Sequence, residues 1–221
     1  MKIKTKLIKV CDNVYLCEIN NEYDLAMTFC RVQEFYESAY EEIRNNNFSM
    51  MQFQRLYSLN QEGVFTYPQD WAGFNIPGSI LDKFYKGSWV QTDWNEYDTA
   101  FKKIITKIRN DKPFYLIGAR KGEKQTIDHE LSHAFYNLKI DYKRGADKLV
   151  NSIPKKTFNK LKKALKQTGY CNKVIKDEIQ AYFSSGDCSF FDACNNWQEN
   201  QKIGKAFEKH FNKHITLNIK K

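Results

Sequence analysis

Residues 128–138, DHELSHAFYNL, set two histidines four positions apart with a glutamate directly after the first. In a helix, positions i and i+4 stand one above the other, so His129 and His133 can turn both imidazoles on one ion. Glu130 lies a step round, where it does not ligate but can take a proton from a water on the metal; this is the geometry that the pattern HExxH encodes. Ile127, Leu131, Ala134 and Leu138 form an apolar ridge along the same helix, with the two histidines on nearly the opposite side. The histidines are therefore expected outside the core.

Zinc in hydrolases usually keeps three protein ligands and one open position, so a third ligand is needed. Glu178 is the choice. In the helical stretch NKVIKDEIQAYF its neighbours one turn away are Val174, Ile175, Ala181 and Tyr182, which makes it a carboxylate on an apolar face. Such a group costs several kcal/mol to keep ionised unless a cation meets it, either a metal or a lysine in a buried salt bridge. Asp177 neighbours Lys173, Gln180 and Ala181 instead.

HELSH followed by Glu178, with TGY and DEIQAYF around the second element, resembles the gluzincin zinc metallopeptidases, and most closely catalytic domains of the anthrax lethal factor type, over residues 113–186. The resemblance implies a zincin-like fold and one zinc per chain held by His129, His133 and Glu178, with Glu130 as general base. It also implies a peptide or protein substrate paired to an edge strand, for which PFYLIGA (113–119) is the candidate. Tyr170 is the candidate oxyanion donor, with His210 left open beside it. One departure stands out: the thermolysin-like aspartate one turn after the ligand glutamate is replaced by Tyr182. The groups supporting the ligands then lie elsewhere, and Asp177, Asp187 and Asp192 are not separable. HFNKH (His210, His214) reads as a basic helix end, and Cys188 and Cys194 match no metal knuckle.

The rest of the chain reads as a mainly helical α+β single domain over 1–221, with a small sheet. It has an N-terminal helical and strand part (1–110), a metal-site core (111–186) and a C-terminal basic helix (187–221). A strand is expected over 13–19 and a first long helix from about 21 to 44. Residues 63–79 read as an ordered loop, and a second helix follows Asp93 as N-cap with Glu96 three residues on. A lysine-rich helix opens at Pro154 and stops near Gly169. The six cysteines are scattered, so free thiols are expected, and no signal-like or membrane-length apolar run is present, which points to an intracellular protein.

The net charge of +9, with lysines crowding 143–166 and 201–221, favours acidic segments in a partner. No RNP, zinc-finger or Gly-rich phosphate signature accompanies it. The expected function is zinc-dependent peptide-bond hydrolysis. The alternative is a basic nucleic-acid- or protein-binding module whose HExxH helix is non-catalytic or structural.

Overall fold

β1 (Lys6–Cys11) and β2 (Val14–Glu18) form an antiparallel hairpin. Its turn places Asn13 at φ 66°, a left-handed conformation that asparagine tolerates better than most residues. In the computed structural model, which describes residues 3–86, 93–110 and 113–219, the hairpin belongs to a four-stranded sheet of order β1-β2-β4-β3. β3 is Gly73–Pro77 and β4 is Tyr115–Ala119. β2 runs parallel to β4, and β3 antiparallel to it. The architecture is thus mainly helical α+β with one small sheet.

β4 lies inside the sheet, with β2 on one side and β3 on the other. The expectation that 113–119 is an edge strand is therefore corrected: the edges are β1 and β3. The physical signs were present in composition. Every residue of β4 is buried, as an apolar run without charges requires, whereas β1 carries Lys6 and Lys9 and β3 ends on Pro77, features that blunt an edge.

The chain divides into two compact units, Met1–Glu123 and Lys124–Lys221. The first holds the sheet with α1 (Glu22–Glu37), α2 (Met50–Leu59), α3 (Tyr67–Asp70), α4 (Gly78–Phe84) and α5 (Glu96–Ile108). Its core is largely aromatic, with Phe29 stacked on Phe74 and meeting Phe101 edge-on.

Three boundaries differ from the sequence expectation. α1 stops at Glu37, short of 44, because Ser38 turns extended and Asn45, at φ 60°, donates its N–H back to Phe35 O. Tyr40 and Ile43 keep the helical spacing but sit in turns. Residues 63–79 hold α3 and β3, not only a loop; β3 is defined by a partner some 40 residues on, which local composition does not reveal. α5 is capped by Asn95, not Asp93: Asn95 and Asp98 exchange side-chain and backbone bonds in a capping box. Asp93 instead accepts from Arg31 and from the Met50 N–H.

The second unit is helical throughout its described residues: α6 (Lys124–Leu138), α7 (Ile140–Ser152), α8 (Lys155–Gln167), α9 (Ile175–Ser184), a 3-10 turn at Cys188–Phe191 and α10 (Trp197–Ile219). Leu161, Leu165, Ile175, Ile179, Phe183 and Phe207 make its core. α6 packs on both α7 and α9, and that double cover decides the environment of the HELSH segment. No disulfide links the cysteines among the described residues, and no described helix is long and apolar enough to cross a membrane.

Candidate metal centre

α6 and α9 bring His129, His133 and Glu178 together, with their candidate ligand atoms all within 4.8 Å of one another. The two Nε2 atoms are 3.2 Å apart, Glu178 Oε2 is 3.7 Å from His129 Nε2, and Glu178 Oε1 is 3.7 Å from His133 Nε2. Two ligands held at about 2.0–2.2 Å around a tetrahedral ion are separated by roughly 3.3–3.6 Å, so this spacing fits one such ion. The donor set fits as well. Two imidazole nitrogens that face each other at this distance need a cation or a proton between them, and the carboxylate supplies negative charge to balance it.

The histidines are not on an open face. His133 is 4% exposed, and Glu130, Leu131, Ser132, Ala134 and Phe135 around it are all buried. The ridge of Ile127 and Leu138 is only half-buried. The expectation of histidines outside the core is corrected for His133, while His129 is half-buried: in a helix covered on two sides, the polar face is the one that receives α9.

Burial and the charge of His133 push His129 well below the usual imidazole range. At His133 burial opposes protonation, but the Asp177 and Glu178 carboxylates outweigh it and hold the ring well above that range. The pair thus keeps one positive charge between two carboxylates when no metal is bound.

Asp177, and not Asp187 or Asp192, is the carboxylate that supports a candidate ligand. Its Oδ1 accepts from His133 Nδ1 at 2.9 Å. In the neutral ring that metal ligation requires, that bond keeps the proton on Nδ1 and leaves Nε2, on the side of Glu178 and His129, free to ligate. The adjacent Asp177 and Glu178 therefore address opposite nitrogens of one ring. Asp187 accepts from Ser189, and Asp192 accepts from Asn200.

Glu130 is buried beside His129 and raises the protonation of His133, Tyr170 and Tyr182 through its charge. Tyr170, in the turn before α9, has its hydroxyl 3.4 Å from that of Tyr182. Burial first, then Glu178, Tyr182 and Glu130 drive the Tyr170 phenol far above its usual range, so it stays a donor. Burial also pushes Tyr182 up to about 12.

Tyr182, which stands where the thermolysin-like pattern has an aspartate, belongs to the centre although the sequence marks no role for it. Its ring meets His129 edge-on at 4.7 Å and stacks on Phe190 at 4.2 Å. The available signal was its position one turn after Glu178, which places it beside whatever Glu178 touches. His210 faces elsewhere: its Nε2 lies 2.9 Å from Tyr142 O, and its ring stacks on Tyr142.

Comparison with protein-family models, curated proteins and solved structures finds no match. The functional reading rests on the centre itself.

Proposed function

We propose that the protein is a zinc-dependent hydrolase, a metallopeptidase of the gluzincin type, with His129, His133 and Glu178 holding one zinc ion. The observation that carries this reading is the convergence of two imidazoles and one buried carboxylate within 4.8 Å, with a second buried carboxylate, Glu130, beside them. Zinc bound there supplies a Lewis acid for the scissile carbonyl and acidifies water.

The chain's own groups do the rest. Glu130 takes the proton of the attacking water and returns it to the leaving amine. Tyr170, kept protonated by its surroundings, donates to the oxygen on which negative charge develops. Tyr182 does not carry charge in this scheme; its hydroxyl orients that of Tyr170, and its ring limits the motion of His129. His133 is aimed by Asp177. The lysines of α8 favour substrates with acidic segments.

Elemental analysis of the purified full chain is the first test, followed by digestion of a peptide library with and without a chelator. The reading expects about one zinc per chain and chelator-sensitive cleavage. A metal-free protein that instead binds DNA or RNA with a steep salt dependence, unaffected by Glu130→Gln, would overturn it in favour of a basic binding module.

A further inference from the structure

A chain of hydrogen bonds runs from His133 away from the ligand atoms into the interior of the second unit. Asp177 Oδ1, which accepts from His133 Nδ1, also accepts from Gln180 Nε2 at 2.9 Å. Gln180 Oε1 accepts from the Tyr142 hydroxyl at 2.7 Å, and that hydroxyl lies 3.2 Å from Ser184 Oγ. The same Gln180 nitrogen reaches towards Ser132 Oγ at 3.5 Å. Gln180, Tyr142 and Ser132 are each 0% exposed, so the segment of the network behind Asp177 is closed to water.

The arrangement has a direction. A primary amide has donors at one end and an acceptor at the other, and turning Gln180 over would set its oxygen against the Asp177 carboxylate, which can only accept. The Tyr142 O–H, by donating to Gln180 Oε1, supports the one orientation in which the amide donates to Asp177. That matters because the Asp177 side chain is 27% exposed and has solvent to turn into, whereas His133 is buried and has no other partner at Nδ1 among the described contacts. Tyr142 is itself held at its backbone and its ring. His210 bonds its carbonyl and stacks on it, in a space that exists because residue 145 is glycine; a Cβ there would lie 2.2 Å from the His210 ring.

We propose that Gln180 and Tyr142 are positioning residues of the metal centre: acting through Asp177, they hold His133 with Nε2 towards Glu178 and His129, and so set how tightly a divalent ion is held. The inference rests on the metal-centre reading above. Neither residue touches the ligand atoms. Outer groups of this kind typically change metal affinity by about 10- to 100-fold.

The test measures zinc affinity of the full chain by competition with a chromophoric chelator, together with the absorption bands of the cobalt-substituted protein. Asp177→Ala is expected to weaken zinc binding about 10- to 100-fold, Gln180→Met about tenfold and Tyr142→Phe a few-fold, with altered cobalt bands in each. In an Asp177→Ala background, Gln180→Met and Tyr142→Phe should cause no further loss, which general loosening of the fold would not produce. Tyr142→Phe keeps the ring and its packing, so it reads out the hydroxyl even if Gln180→Met fails to fold. Wild-type affinity and spectrum in Tyr142→Phe, or losses that add to that of Asp177→Ala, would overturn the proposal while leaving the zinc site standing. A wild-type chain that binds neither zinc nor cobalt would overturn both.

Discussion

At the scale of single residues, the proposed function separates groups that would hold a metal from groups that would use it. His129→Ala and Glu178→Ala remove ligands and should abolish stoichiometric zinc, whereas Glu130→Gln should keep the zinc and lower kcat about 10²- to 10⁴-fold, checked by metal analysis and peptide cleavage on the same preparations. Tyr170→Phe should cost about 10²- to 10³-fold in kcat with little change in KM, since the phenol is asked to act only where charge develops. A different kind of group sits in the first unit. Burial raises Glu34 to about 7, against smaller opposing contacts from Ser38 and Tyr67. Its native form therefore holds a proton that the unfolded chain has lost, so its stabilising contribution is complete below the unfolded value of 4.5 and disappears as pH rises through about 7. Urea unfolding at pH 5 and pH 8 should show the wild type losing roughly 2–3 kcal/mol more than Glu34→Gln over that interval.

At the scale of elements, a buried ion pair joins two helices. Arg31 on α1 bonds Asp98 on α5 through Nε at 2.8 Å and Nη2 at 3.0 Å, and also reaches the Phe48 and Asp93 carbonyls. Both Arg31 and Asp98 are buried, and Asp98 also closes the capping box of α5, so the pair joins a helix start to the middle of another helix. Arg31→Met should cost about 3–5 kcal/mol because it leaves Asp98 buried and half-satisfied, measured as a shift in denaturant midpoint. Where α1 crosses β4, Gly118 gives the Phe29 ring its place: a Cβ would lie 2.5 Å from the ring. Gly118→Ala should destabilise by about 1–3 kcal/mol, and Phe29→Leu in the same chain should recover part of that loss, because overpacking and not the strand backbone is the cause.

For the molecule as a whole, the metal is expected to act as a cross-link between α6 and α9, whose candidate ligands His133 and Glu178 lie 45 residues apart in sequence. An ion that binds only the folded chain stabilises it by about 2.7 kcal/mol when free metal is a hundredfold above its Kd. Thermal melts should therefore move down on chelation and back up on adding zinc, and His129→Ala should be insensitive to both. A wild-type melt unchanged by chelator and zinc would count against the site as a structural link.

The HELSH spacing, the position of Glu178 among apolar neighbours and the principal helices were readable in the chain because each depends on residues within a turn or two of one another. The same locality explains the errors. Asp93 has the composition of a cap, but Arg31 and the Met50 N–H, both from distant segments, engage its carboxylate, and Asn95 caps α5 instead. β3 and the interior place of β4 depend on strand pairing between distant segments, and the short end of α1 depends on a backbone bond from Asn45. In the centre, two imidazoles at i and i+4 and a remote glutamate could be inferred from residue type. The burial of His133, the choice of Asp177 over Asp187 and Asp192, and the contact of Tyr182 with His129 arose only when α9 was laid against α6. Periodicity tells which side of a helix is polar; only packing decides whether that side meets water or another helix.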